Sequence, residues 1–252
     1  MARSTQPGGN APRKRARKVP RAERLSPEID AILSALEAFL NFKDDDGRRV
    51  CGAKCGVYAF YDYDGEPIYV GRTYESLATR IRRHLTGQRT DAVAMHVLDP
   101  LEVARIEVWP FWDAQNLAKK ERVNMLARAE YSVYDALTRR AKVSKLLNEK
   151  KPEAVEPIDL PQSYTAEIVP PGIRPRLEHR DERIARRAAT IANLAQVVKE
   201  RDVSLGLRQT LVTQAERLQL LATERLEEVT ANTPAEQRER ETERSATDAE
   251  SA

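Results

Sequence analysis

The sequence predicts an α+β fold: a small sheet of three strands with flanking helices, one helix before the sheet and a long helix with coiled-coil tendency after it. Three observations support this prediction. Short apolar runs surround a hairpin signal at Asp64-Gly65. Apolar residues at helical spacing precede and follow these runs. Toward the C-terminus, apolar residues recur at seven-residue intervals.

The composition limits how much of the chain can pack into a core. Of 252 residues, 41% are hydrophobic and 32% are charged, which favours one or two domains with unfolded or elongated parts. We expect the basic arm of residues 1–24 and the acidic tail of residues 231–252 to be disordered, because both lack the apolar surface that offsets chain entropy. The basic run at residues 13–18 fits a DNA-contacting arm or a nuclear-import signal.

The sequence shows no sign of a membrane or export segment. No apolar run approaches the roughly 20 residues of a membrane span, and no signal peptide is evident, so we expect a soluble protein of the bacterial-type cytoplasm. The only cysteines, Cys51 and Cys55, are compatible with a reducing compartment. A structural zinc is disfavoured, because His84, His96 and His179 lack paired spacing.

The elements follow in order along the chain. Residues 25–42 are predicted as a helix that begins at the N-cap Ser26 and Pro27, within an N-terminal segment of residues 25–49. Two strands are predicted at 56–62 and 67–72, a basic helix at 75–85, a third strand at 101–111 and a mostly helical region at 115–147. Six prolines between 152 and 175 indicate a linker, which we bound at residues 153–175.

The seven-residue repeat predicts a long helix over residues 176–230. Its repeating positions are Leu177, Ile184, Ile191, Val198, Leu205 and Val212. A coiled coil of two protomers, hence a homodimer, is one interpretation. The intervening positions are poor and Gly206 interrupts the pattern, so one amphipathic helix folded back on its own domain is the alternative.

The hairpin places two tyrosines on one face of the sheet. With Asp64-Gly65 as the turn, the pairs are Tyr63 with Glu66, Phe60 with Tyr69, and Tyr58 with Gly71. Tyr58 and Tyr69 are then diagonal neighbours beside the space over Gly71, and together they form a shallow polar platform. The opposite face carries the core residues Val57, Ala59, Ile68 and Val70.

Positive charge is concentrated on and after the helix at 75–85. Arg80 and His84 are four residues apart and share one helix face. Arg82, Arg83 and Arg89 add charge that could bind DNA phosphates, although a solvated charged surface explains such a run equally simply.

These residues together resemble a known family. The pattern is Gly56-Val57-Tyr58, Tyr69-Val70-Gly71, Arg72-Thr73 and Leu77-x-x-Arg80-x-x-x-His84-Leu85, and it is similar to that of the GIY-YIG nuclease superfamily. The resemblance places the domain at residues 50–152. It implies a three-stranded antiparallel sheet in the order strand, strand, helix, strand, helix, and DNA cleavage with Mg²⁺ or Mn²⁺.

The resemblance also implies site residues. Tyr58 and Tyr69 match the motif tyrosines, and Arg72 and Arg80 match its basic positions. The family places one glutamate, the sole protein ligand of the metal, on the helix after the third strand. We assign Glu130, with Glu121 as the alternative; Asn148 matches an asparagine near the domain end.

Each residue type has a role in phosphodiester hydrolysis. Arg80 would clamp a phosphate oxygen with its fork of donors. Tyr58 would act as the base, its ionised form favoured by Arg72, and Tyr69 would orient water or phosphate. His84 would contact the backbone or assist proton transfer, or else be a packed helix residue. The alternative to a DNA endonuclease is a non-catalytic nucleic-acid-binding or assembly protein that retains the fold.

Overall fold

The computed structural model describes residues 27–86 and 97–231. Several predictions concern residues outside these ranges: the basic arm with its run at 13–18, the N-cap Ser26, Arg89 and the acidic tail beyond residue 231.

The described residues contain a four-stranded antiparallel sheet and six α-helices. The strands are β1 Gly56–Tyr61, β2 Pro67–Thr73, β3 Arg105–Pro110 and β4 Tyr164–Glu167, in the spatial order β2-β1-β3-β4. The helices are α1 Pro27–Leu40, α2 Leu77–Leu85, α3 Lys119–Arg140, α4 Arg174–Glu178, α5 Arg180–Glu200 and α6 Leu205–Ala231. The α+β class is confirmed.

The prediction of three strands is wrong, because β4 forms inside the segment that its prolines marked as a linker. β4 pairs with β3 from Arg105↔Glu167 to Val108↔Tyr164. Its four residues contain no proline, and Pro161 and Pro170 lie outside it. Proline is tolerated beside a short edge strand, since that position requires fewer ladder hydrogen bonds.

The sheet separates two layers of helices. Every residue of β1 is buried, because β2 and β3 flank this strand and helices cover both of its faces. On one face, Tyr58 and Phe60 share a core with α1 and α2 residues such as Leu40 and Ile81. On the other face lie the apolar residues of α3, with Val57, Ala59, Val70, Ala129 and Val133 in one cluster.

The hairpin register is confirmed near the tyrosines and differs at the turn. Phe60 pairs with Tyr69 and Tyr58 with Gly71, but the register shifts between Phe60 and Tyr61. Asp62 N therefore donates to Glu66 O over 3.0 Å, a partner that we predicted for Tyr63. The shift also moves Ile68 into the core of Tyr58, contrary to prediction, because a bulge changes the face of the following side chain.

The prediction of a single long C-terminal helix is also wrong. The chain leaves helical geometry between Glu200 and Leu205, and α5 turns back to pack antiparallel against α6, as shown by the Asp181–Arg225 ion pair. Leu205 and Val212 of the repeat are 71% and 54% exposed. The coiled coil is thus not confirmed, and the C-terminal part packs as a helical hairpin on its own domain.

Charged residues hold this hairpin against the sheet together with apolar residues such as Leu194 and Leu207, which belong to the main core. Arg187 donates to Asp62 Oδ2 over 2.8 Å and to Glu102 Oε2 over 3.0 Å. Arg183 lies 3.3 Å from the same Asp62 oxygen and 2.7 Å from Asp64. Because Asp62, Glu102, Arg183 and Arg187 are all buried, each carboxylate depends on these guanidinium groups for its neutralisation.

Two further sequence-based expectations concern membranes and cysteines. None of the helices that the structure describes is long and apolar enough to cross a bilayer.

Cys51 and Cys55 are buried free thiols. Burial raises the pKa of Cys51 to about 12 and also raises that of Cys55, so both are thiols at neutral pH.

Removing one buried guanidinium should destabilise the fold. Arg187→Met leaves Asp62 and Glu102 short of a partner, so we expect the free energy of unfolding to fall by about 3 to 5 kcal/mol. Arg176→Met is the matched control: it removes an arginine that is 66% exposed and paired with Glu28, and it should cost less than about 1 kcal/mol. Urea denaturation followed by circular dichroism measures both, and equal losses would contradict a structural role for the buried network.

Candidate active site

A cleft of about 810 Å³ runs along the edge of β2. Since β2 is an edge strand, residues from both faces of the sheet reach the cleft: those of α2 from one side and those of α3 from the other. Its lining consists of Tyr69, Gly71, Arg72, Thr73, Tyr74, Glu75, Arg80, Val123, Ala127, Glu130, Lys150, Lys151, Pro152, Glu153 and Val155. The structure thus brings four of the predicted site residues, Tyr69, Arg72, Arg80 and Glu130, to one opening.

Tyr58 lies beneath this cleft, not in it. The side chain is fully buried, so Tyr58 does not present its phenol to solvent as part of the predicted shallow polar platform. Its hydroxyl lies 3.0 Å from His84 Nε2 and accepts a hydrogen bond from Arg80 Nε over 3.3 Å. A Cβ added to Gly71 would lie 2.5 Å from the same hydroxyl, so only glycine leaves room for the phenol there.

Arg80, and not Arg72, is the cation that contacts Tyr58. Burial raises the pKa of Tyr58 well above its ordinary value, and the neighbouring Arg80 opposes this only in part. The expectation that Arg72 favours the ionised form of Tyr58 is wrong, because Arg72 lies on the α3 face of β2. Tyr58 is therefore a neutral phenol at neutral pH, and its hydroxyl organises the groups around it.

Glu130 projects from α3 toward Arg72. Arg72 Nη1 donates to Glu130 Oε2 over 2.9 Å, and the backbone N–H of Arg72 also faces the Glu130 carboxylate. Burial raises the pKa of Glu130, and the charge of Arg72 partly offsets that rise. Glu121 is nine residues earlier, on the opposite side of the helix, and is exposed away from the cleft.

Asn148 binds the backbone of β2 with both ends of its amide. Val70 N donates to Asn148 Oδ1 over 3.2 Å, and Asn148 Nδ2 donates to Val70 O over 2.7 Å. The side chain thus substitutes for a neighbouring strand along two groups of β2. Its geometry supports the strand that carries Tyr69 and Arg72, and it does not line the cleft.

His84 is packed among aromatic rings. The imidazole is 8% exposed, and its ring centroid lies 5.1 Å from that of Tyr69 and 5.9 Å from that of Phe60. Together with the contact to the Tyr58 hydroxyl, this environment resembles that of a packed helix residue more than that of a group facing solvent.

The predicted DNA-binding arginines of α2 are already engaged by carboxylates. Arg82 makes two hydrogen bonds to Glu37, of 2.6 and 2.7 Å. Arg83 Nη2 donates to Glu75 Oε2 over 2.9 Å. Both pairs are partly exposed, so the arginines could exchange partners, but neither lines the cleft.

Lys150 and Lys151 line the cleft and were missed at the sequence level. They directly follow the segment of Asn148, and the adjoining Pro152 suggested only a linker. No periodic pattern indicates where an irregular segment runs, and the sole available signal was two adjacent lysines close to a candidate site residue.

The donor set of the cleft suits a hard cation that retains its water. Within the described ranges, no group of three or more histidine, cysteine, aspartate or glutamate side chains is arranged so that it could hold a metal ion. Glu130 offers a single carboxylate, in a cleft large enough for water ligands. That arrangement fits Mg²⁺ or Mn²⁺, because Mg²⁺ in particular loses its hydration shell reluctantly.

The comparisons with known proteins agree with this geometry. Residues 54–125 match the family model of the GIY-YIG catalytic domain, a segment of less than a third of the chain. No curated protein and no solved structure gives a significant match. The matched segment includes Tyr58, Tyr69, Arg72, Arg80 and His84, and it ends before Glu130. The family resemblance is therefore confirmed to the extent that residues 54–125 match the model of the GIY-YIG catalytic domain.

Proposed function

We propose that this protein is a DNA endonuclease that hydrolyses phosphodiester bonds with the help of Mg²⁺ or Mn²⁺. The observation that carries the proposal is the convergence of Tyr69, Arg72, Arg80 and Glu130 on one cleft. A carboxylate for a cation, a guanidinium for phosphate and a phenol for water are the groups that phosphoryl hydrolysis needs at one place.

Glu130 would hold the metal ion through its carboxylate, while the hydrogen bond from Arg72 Nη1 to Oε2 orients that carboxylate. A divalent ion bound there would stabilise charge on the phosphate and lower the pKa of a bound water. The ion pair with Arg72 keeps Glu130 closer to its ionised form than burial alone would. Arg72 thus acts on the substrate indirectly, as a positioning residue.

Arg80 is the group best placed to bind the scissile phosphate. Its Nε donates a hydrogen bond to the Tyr58 hydroxyl. Neither of its Nη groups donates a hydrogen bond to a residue that the structure describes. Such a fork can bind two phosphate oxygens at once. The buried Tyr58 is a positioning residue that holds the guanidinium at the cleft.

Tyr69 is the motif tyrosine that meets solvent. It lines the cleft while Tyr58 does not, so we assign to Tyr69 the contact with the attacking water or a phosphate oxygen. His84 supports both rings from beneath. This distribution replaces the expectation that Tyr58 is the base, because a fully buried phenol with a raised pKa cannot reach a water in the cleft.

The predicted homodimer does not form part of this proposal. It was based on one uninterrupted helix that would pair with a second copy, and α5 instead pairs with α6 of the same chain. One cleft cleaves one strand at a time, so the expected first product from supercoiled plasmid is the nicked circle.

Glu130→Ala should abolish plasmid nicking in the presence of Mg²⁺ or Mn²⁺. Its loss removes the metal ligand, so the rate should fall by more than the roughly 100- to 1,000-fold that one transition-state donor contributes. Glu121→Ala, on the opposite side of α3, is the control and should leave the rate unchanged. If the wild-type protein binds DNA but cuts none with either metal, the non-catalytic alternative is correct.

Arg80→Lys should retain DNA binding and lose turnover. Lysine keeps the charge but cannot supply a planar fork to the phosphate or the Nε donor to Tyr58, so we expect kcat to fall about 100-fold. Single-turnover cleavage at saturating protein measures the change. Unaltered kcat would reduce Arg80 to a general backbone contact.

Arg72→Gln should move the acid limb of the pH–rate profile toward higher pH. Metal binding requires the Glu130 carboxylate, and the Arg72 charge lowers a pKa that burial has raised. Without that charge the pKa rises further, so protonation removes activity at a higher pH. Arg72→Lys retains the charge and should shift the acid limb less. If wild type and Arg72→Gln have the same acid limb, the titration of Glu130 does not determine that limb.

A further inference from the structure

We propose that Lys150 and Lys151 form a second phosphate-binding wall of the cleft, and that the first turn of α6 holds this wall in position. The inference rests on the proposed DNA-cleaving function. The ligand is the phosphodiester backbone of the bound strand beside the phosphate that Arg80 takes. The site lies beyond the matched segment, at residues to which the family motif assigns no role.

The charges that line the cleft favour a phosphate at these lysines. The lining contains the cations Arg72, Arg80, Lys150 and Lys151 and the anions Glu75, Glu130 and Glu153. Arg72 is paired with Glu130, and Glu75 is paired with Arg83. The cations Arg80, Lys150 and Lys151 then remain, with Glu153 as the one remaining anion of the lining. The cleft therefore retains net positive charge, and two of its three unpaired cations are the lysines.

The lysines also bind phosphate at lower cost than the arginines of α2. Both are exposed, and neither has an ion pair among the described residues. Arg82 would first have to release the two hydrogen bonds that it makes to Glu37. A charge without a partner gives up only water when it contacts DNA, and each such contact adds to counterion release.

The segment that precedes the lysines is fixed to the edge of β2. Leu147 N donates to Ile68 O over 2.8 Å, and Asn148 makes its two hydrogen bonds to Val70. Lys150 is two residues after Asn148, which is held in place by these hydrogen bonds. The direction of the chain beyond Asn148 therefore determines where the Lys150 side chain lies.

The N-terminal turn of α6 sets that direction through Glu149. Ser204 Oγ donates to Glu149 Oε1 over 2.6 Å. A Cβ added to Gly206 would overlap the carbonyl oxygen of Glu149, so the helix backbone approaches this residue as closely as glycine allows. Arg217 of the same helix donates to the backbone oxygens of Pro67 and Lys145, which ties α6 both to the start of β2 and to the segment that precedes the lysines.

The first test removes the charge. The full chain carrying Glu130→Ala, which binds without cutting, serves as the parent, and its affinity for a labelled DNA duplex is measured by fluorescence anisotropy at increasing salt. Lys150→Gln/Lys151→Gln should weaken binding and reduce the slope of log Kd against log salt by about 1.8, or about 0.9 for each lost contact. Lys43→Gln/Lys199→Gln is the matched control: it removes the same charge from exposed positions outside the cleft and should leave the slope unchanged.

The second test displaces the wall without altering its charge. Gly206→Ala, in the same parent, should weaken DNA binding, although alanine favours a helix more than glycine does. Gly172→Ala, where an added Cβ meets nothing within 4 Å, is the matched control. If Gly206 acts through the lysines, Gly206→Ala should cause no further loss in the Lys150→Gln/Lys151→Gln protein. A purely structural effect would instead weaken binding equally in both backgrounds.

The outcomes separate this inference from the proposed function. A wild-type protein that neither binds nor cuts DNA overturns both. Binding by the parent with an unchanged salt slope in Lys150→Gln/Lys151→Gln overturns the lysine site alone. A reduced slope with additive losses for Gly206→Ala supports the lysine site and overturns its positioning by α6.

Discussion

The carboxylates of Asp62 and Glu102 are buried, and the packing of the C-terminal helices depends on the need to neutralise them. Neither group can remain ionised in the interior without close cations. Arg183 and Arg187 provide them from α5, which requires the C-terminal helices to pack against the turn of β1 and β2 and the start of β3. The helical hairpin is thus held to the sheet by specific charges as well as by apolar area, which fixes its orientation.

That attachment has consequences at the cleft. Because α5 is fixed to the turn before β2, α6 lies along the segment that leaves α3, and its arginine Arg217 contacts the backbone at the start of the strand. The edge of β2 is then supported by Asn148, and the segment beyond it passes into the cleft. A helix pair at one end of the chain therefore contributes to the shape of a site whose motifs lie near residues 56–84.

The site itself depends on β2 being an edge strand. Residues on its two faces would ordinarily be separated by the thickness of the sheet. At an edge they can converge, which allows Arg80 from the α2 layer and Glu130 from the α3 layer to line one opening. The position of the strand also determines the exposure of the two tyrosines. Tyr58, on an inner strand, is buried and positions Arg80, whereas Tyr69, on the edge strand, is exposed to solvent in the cleft.

Local pattern was sufficient for the fold class and for the hairpin register at Tyr58 and Tyr69, because alternation and turn chemistry are properties of neighbouring residues, whereas the residues that converge on the cleft were implied by the family resemblance. The fourth strand, the bulge that moves Ile68, and the break of the C-terminal helix depend on pairing partners distant in sequence, which no periodicity reveals. The seven-residue apolar repeat was misleading because the chain leaves helical geometry within it, so that α5 packs against α6 of the same chain and is attached to the domain by buried arginines as well as by apolar residues. Burial of Tyr58, the partner of Arg72 and the approach of Lys150 and Lys151 to the cleft were likewise decided by tertiary packing, since the pKa of a phenol and the reach of a lysine depend on the surroundings that the folded chain provides.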